Sequence, residues 1–193
     1  MILNWLAHNW FELLAVILTV YSIWLATREN IWYYPTGLVA LAMYTWIYYS
    51  ARLYAESLLQ IICFVLMVYG WYEWLYGGAR HSELPVTRTP GWGWRWGVPA
   101  GIIGSLLTIL VQLRFTDNPN PYVDSSLFAW SLVAQWMTAR KWLENWLLWV
   151  VINTISVPLY IVRGIGLTAV LYVGLWLLAI KGYRDWRRSL VSA

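Results

Sequence analysis

The sequence predicts an all-α membrane protein with seven transmembrane helices, ordered as two parallel three-helix repeats joined by a linker helix. Three observations carry this reading. Of 193 residues, 61% are hydrophobic and 11% charged, with a mean hydropathy of +0.54, whereas about a quarter of a soluble domain is charged. Apolar runs recur at the length of about 20 residues that a helix needs to cross a bilayer. The basic residues also fall mainly in alternate connections between those runs. No hydrophilic stretch is long enough for a nucleotide-binding domain, so energy has to come from a gradient or from another protein.

The first span is Trp10 to Ala26, ended by Arg28-Glu29-Asn30, and the second is Ile31 to Ser50, ended by Ala51-Arg52. The third is Leu53 to Tyr76 and contains Cys63, the one cysteine, which excludes an internal disulfide. Gly77 to Arg95 is the longest connection; Gly77-Gly78, Pro85 and Pro90-Gly91 predict a flexible loop between two halves. The remaining spans are Trp96 to Leu113, Ser125 to Ala139, Glu144 to Val162 and Ile165 to Gly182. Connections as short as Arg163-Gly164 force consecutive helices to be antiparallel neighbours. The chain is thus read as one transmembrane domain, 1–193, with 10–76 and 125–182 as the repeats and 96–113 as the linker.

Met1 to Asn9 holds no Lys or Arg, so the N-terminus is read as mature and not as a signal peptide. Seven spans collect ten basic residues on one side and leave Arg52, Arg114 and Arg163 on the other. By the positive-inside rule the C-terminus is cytoplasmic and the N-terminus outside.

An internal repeat is faint but visible. Glu29-Asn30 precedes the second span as Glu144-Asn145 precedes the sixth, and Gly70-Trp71-Tyr72-Glu73-Trp74 closes the third span much as Gly182-Tyr183-Arg184-Asp185-Trp186 closes the seventh. With one odd helix between them, both triplets cross in the same sense, a SWEET-like 3+1+3 plan. Chance recurrence of caps and interfacial tryptophans is the competing explanation.

Catalytic machinery is missing from the pattern. There is no phosphate-binding glycine loop, no metal-ligand spacing, and neither His8 nor His81 has an acid-base partner nearby. Glu12, Glu56, Glu73 and Glu144 lie near helix ends, so no buried proton relay is offered. Catalytic, metal and cofactor sites are all read as none, and an enzyme is disfavoured. Two uncharged amides lie deep in the spans: Gln60 in the third and Asn153 in the sixth. A bare amide in hydrocarbon is costly and should face the bundle interior. Trp146, Trp149, Asn153, Val157 and Tyr160 share a helix face. Aromatic-framed amides suit a flat heteroaromatic ligand, particularly a cationic one; interhelical hydrogen bonding is the structural alternative. Trp5, Trp10, Trp32, Trp74, Trp92, Trp94, Trp96 and Trp186 are read as interfacial anchors.

Leu53-Tyr54-Ala55, Leu58-Leu59-Gln60, Tyr69-Gly70-Trp71-Tyr72-Glu73-Trp74, Arg140-Lys141 and Glu144-Asn145-Trp146-Leu147-Leu148-Trp149 through Asn153 and Ser156 together resemble the Pnu family of vitamin carriers, most nearly its nicotinamide riboside transporters. The resemblance runs from about Ile31 to Tyr76 and from Asp124 to Trp186. It implies facilitated diffusion of a dephosphorylated vitamin across a bacterial inner membrane, with a cytoplasmic kinase trapping the product. It also implies that Gln60 and Asn153 bind substrate beside Trp146 and Trp149 of the motif; aromatic residues such as Tyr44, Trp71, Trp146 and Trp149 are then expected to cover its ring. Ala40 departs from the family, which often has a polar residue there, and thiamine, riboflavin or nucleosides stay open as cargo. The partners so implied are a small-molecule vitamin, the lipid bilayer and a kinase, with a homo-oligomer such as a trimer left open and no nucleic acid. A non-transporting scaffold is the reading from another class.

Overall fold

The computed structural model describes residues 2–50, 54–116, 119–164 and 166–191, without the side chains of 2–9, 54–56, 58, 167 and 191. Seven α-helices run along them: α1 (Ile2–Thr27), α2 (Tyr33–Ser50), α3 (Tyr54–Tyr76), α4 (Gly91–Phe115), α5 (Pro121–Ala139), α6 (Asn145–Val162) and α7 (Gly166–Val191). Among the described residues, four stretches are long and apolar enough to cross a membrane by themselves: Trp10–Thr27, Leu59–Tyr76, Gly91–Phe115 and Asn145–Val162. The helices outrun the expected spans where polar residues continue them. α1 begins early enough to include His8, α4 takes in Trp92 to Arg95, and α7 continues through Arg188. The expected starts at Leu53 and Ile165, and the Ala51-Arg52 turn, lie outside the described residues.

The chain forms two compact units, Met1–Leu84 and Pro85–Ala193. In the first, α2 packs on both α1 and α3. Gly37 permits this, since a Cβ there would run into Met67 of α3 and come within 3.6 Å of the Ser22 hydroxyl of α1. At the far end of α3, Trp74 is buried against Tyr33 and Tyr34, with the Tyr34 ring edge-on at 5.1 Å.

In the second unit α4 packs on α5, α5 on α6, and α6 on α7. Gly93, Gly97, Gly101 and Ser105 recur every fourth residue and form the buried stripe of α4. At the inner two glycines the rings of Trp130 and Trp136 lie against the backbone, and a Cβ on Gly101 would sit 2.9 Å from Trp130. Small residues at this spacing let membrane helices approach closely.

Both units turn their corner in the same way. Helices α1 and α5 end in left-handed residues, Glu29 (φ 55°) and Lys141 (φ 49°). Around each, the next residue's amide reaches back five positions, Asn30 to the Leu25 carbonyl and Trp142 to that of Met137, both at 3.1 Å. These are Schellman caps, built here without the usual glycine. Glu29 and Lys141 are 112 positions apart, as are Tyr34 and Trp146, and Trp74 and Trp186. Trp146 meets Trp186 edge-on at 5.3 Å, matching Tyr34 on Trp74. This register corrects the expected pairing of the two Glu-Asn dipeptides: Glu29 occupies the corner, whereas Glu144 precedes α6 by one residue. The Gly70–Trp74 and Gly182–Trp186 pairing keeps its register.

Two further expectations fail. The stretch Thr87 to Thr89 of the connection between α3 and α4 is not slack. Thr87 bridges to the α5–α6 corner, donating to the Lys141 carbonyl at 3.1 Å and accepting from the Leu143 amide at 2.8 Å. Thr89 donates its amide and its hydroxyl to Glu144 Oε2, each at 2.7 Å. Backbone pairing of this kind is not signalled by turn residues. Trp74 and Trp186 are also not interfacial anchors, being 2% and 0% exposed, because each closes the corner of its unit. Trp10, Trp32 and Trp96 are exposed as expected, whereas the side chain of Trp5 lies outside the described residues.

Candidate functional site

In the second unit, α6 carries two asparagines with opposite surroundings. Asn145 is fully buried and bonded at both amide atoms: its Nδ2 donates to the Trp142 carbonyl at 2.6 Å and its Oδ1 accepts from the Thr138 hydroxyl at 3.0 Å. Asn153, two turns on, is 3% exposed, and among the described residues its amide makes no hydrogen bond. Its amide atoms are not among the sealed, unpartnered ones, so the small exposure that remains includes them.

The rings around Asn153 divide between the neighbouring helices. Trp149, one turn before it and half-buried, directs its indole N–H to Thr138 of α5 at 3.4 Å. Trp146 turns to α7 and lies over Gly182, where a Cβ would come within 2.5 Å of the indole. By helical spacing Asn153 falls between these two directions, on the side of α6 that faces between α5 and α7. Trp149 and Asn153 are therefore brought together. Trp146, only 3% exposed and covered by Trp186, supports this face from behind.

In the first unit the half-buried Gln60 shares a face of α3 with Met67 and Trp74, which pack on α2. Its amide, too, makes no hydrogen bond among the described residues. Neither amide therefore makes an interhelical hydrogen bond among the described residues. Tyr44, on the face of α2 that carries Gly37, is half-buried and stacks on Tyr48 at 5.9 Å. Trp71 shares the Gln60 face but lies eleven residues along, about 16 Å up the helix, and is not brought beside Gln60. A groove of about 480 Å³ between α5 and α6, lined by Tyr122, Leu127, Trp130, Val151 and Ile155, is a different feature. Val151 and Ile155 lie on the side of α6 opposite Asn153.

Asn145 was the residue whose role the sequence hid: its bonds tie the α5–α6 corner to the start of α6. Among the described residues no three His, Cys, Asp or Glu side chains gather as a metal site would require.

A family model described as "Nicotinamide mononucleotide transporter" matches residues 9–188. The chain belongs to this transporter family. As a member, it is a multi-pass membrane protein of the Pnu type that its motifs resemble. The nicotinamide riboside transporter PnuC of Escherichia coli is 29% identical over 94% of this chain and 86% of its own. The riboflavin/roseoflavin transporter RibM of Streptomyces davaonensis is 26% identical over 92% and 84%. Among solved structures, a crystal structure of the vitamin B3 transporter PnuC superposes with a TM-score of 0.76 at 20% identity, covering 99% of this chain and 86% of that one. The transporter family member thus shares that fold.

Proposed function

We propose that this transporter carries nicotinamide riboside across the bacterial inner membrane by facilitated diffusion, its N-terminus outside and its C-terminus cytoplasmic. The observation that carries the reading is the pair of in-span amides, Gln60 and Asn153, that make no hydrogen bond among the described residues, in a chain whose relatives include a nicotinamide riboside transporter. The ligand offers a carboxamide, ribose hydroxyls and a pyridinium ring. An amide donates and accepts at once, and aromatic faces attract a ring cation. On this reading Gln60 and Asn153 are the amides for the polar groups and Tyr44, Trp71, Trp146 and Trp149 the aromatic candidates for the ring, with Trp149 beside Asn153 and Trp146 fixing α6 behind it.

The matching corners at 112 positions support two repeats, 10–76 and 125–182, joined by 96–113. Rocking of one repeat against the other alternates access. Net uptake then depends on a cytoplasmic kinase that removes the free vitamin. Purified protein in liposomes without ion gradients should equilibrate labelled nicotinamide riboside and stop at equal concentrations. Accumulation driven by a proton or sodium gradient overturns uniport. Riboflavin is the second reading, favoured by the similarity to RibM; competition by riboflavin and by thiamine, another cationic heteroaromatic, ranks the cargoes.

A further inference from the structure

One end of the second unit is far more basic than the chain's net charge of +4 suggests. The Thr87–Thr89 strap, the start of α4, the α5–α6 corner and the end of α7 all lie at this end, and they carry Arg88, Arg95, Arg140, Lys141, Lys181, Arg184, Arg187 and Arg188. Only two acidic residues belong to this end, and both are committed: Glu144 accepts from Thr89, and Asp185 pairs with Lys181. At the opposite end Arg163 is matched by Asp124 at 2.6 Å. The asymmetry is therefore local to this end of the unit.

The fold also sorts the basic residues by exposure. Lys141 is buried in the corner and Arg140 is half-buried over Trp92, whereas Arg88, Arg95, Arg184, Arg187 and Arg188 are exposed. Arg88 stands between Thr87 and Thr89, both pinned to the α5–α6 corner, so its position is fixed by bonds on either side. On α7 the fully buried Trp186 sets the rotation of the last turns. Helical spacing then places Arg184 and Arg188 opposite Trp186 and Arg187 to one side. With 26 residues α7 is about 39 Å long, against a hydrocarbon core of about 30 Å, so these turns lie at headgroup depth or beyond. All five exposed side chains are guanidiniums, whose planar fork suits phosphate oxygens.

We infer that this arginine face is a docking surface for anionic lipid headgroups, and that it presses the α7 end and the Thr87–Thr89 strap onto an acidic leaflet. The occupant is a membrane phospholipid: the face is at the bilayer surface, and basic residues there attract acidic leaflets.

The probe is phosphatidylglycerol against phosphatidylcholine in mixed vesicles holding the full chain, with lipid retention read by native mass spectrometry and stability by thermal melting. The protein should retain phosphatidylglycerol preferentially and melt higher in it, with the gain falling as salt rises. R88Q/R184Q/R187Q should weaken that preference by about a hundred-fold, near five-fold per arginine, while melting as the parent does in pure phosphatidylcholine. The charge-preserving R88K/R184K/R187K should keep most of it. Equal retention by parent and glutamine variant overturns the proposal. So does matching stabilisation by inorganic phosphate, which would make the face a free-anion site, or a glutamine variant that already melts lower in phosphatidylcholine.

Discussion

Asn145 and Asn153 sit on one helix, two turns apart and both buried, yet replacing each by leucine should move stability in opposite directions. Asn145→Leu removes two hydrogen bonds, to the Trp142 carbonyl and from Thr138. Little is stranded by their loss: the Trp142 carbonyl still receives the Asn145 backbone amide at 3.1 Å, and Thr138 still has the Ala134 carbonyl at 2.9 Å. At about 1 ± 0.5 kcal/mol per bond, plus the misfit of a branched side chain in a fully buried polar site, the cost is roughly 2–3 kcal/mol. Asn153→Leu removes an amide with no partner among the described residues and replaces it with an isosteric apolar group, which is neutral or stabilising by about 1 kcal/mol. Thermal melting of the purified variants in one detergent reads both. Asn145→Leu should melt lower by roughly 4–12 °C, on the soluble-protein scaling of about 2–4 °C per kcal/mol, and Asn153→Leu at or above the parent. A marked loss at Asn153 would refute the reasoning, because it would mean that this amide holds helices together after all.

Three further outcomes are expected. Gly182→Ala places a Cβ within 2.5 Å of the Trp146 indole and should lower the melting temperature by an amount equivalent to about 1–3 kcal/mol, despite alanine's better helix propensity; Trp146→Phe in the same chain should recover part of the loss. Tyr34→Phe removes a sealed hydroxyl that has no hydrogen-bond partner among the described residues, so the variant should melt no lower than the parent, against the usual trend for buried tyrosine. Thr89→Val removes the hydroxyl's bond to Glu144 Oε2 and leaves only the backbone amide's; hydrogen exchange at the amides of positions 87 and 89 should then speed up, with a cost of about 1.5–3 kcal/mol for a bond to a charged group.

Helix number and order were legible because apolar runs bounded by charge are a long-range, redundant signal. The helix ends were less so: Arg184 to Arg188 look like a boundary in a hydropathy scan, although the backbone continues helical to Val191. The Thr87–Thr89 strap was hidden because its bonds run to the backbone and carboxylate of residues more than fifty positions away. The tryptophans show the same limit from another side. Trp74 and Trp186 have the composition of interfacial anchors, yet burial under Tyr34 and Trp146 is decided by the corners. Gly93, Gly97, Gly101 and Ser105, by contrast, form a four-residue repeat that could have been read directly as the packing face of α4. At the site, depth in the span singled out Gln60 and Asn153, while spacing alone could not tell that Trp146 faces α7 and Trp149 faces α5.

Binding of nicotinamide riboside to the purified protein by calorimetric titration, for the parent and for Gln60→Leu and Asn153→Leu, tests the central claim most directly. Losing one bidentate amide contact should weaken affinity by about ten- to a hundred-fold in each variant, with melting no lower than the parent's. Parent-like affinity in both variants would contradict the account, since the two amides would then have no part in holding the vitamin.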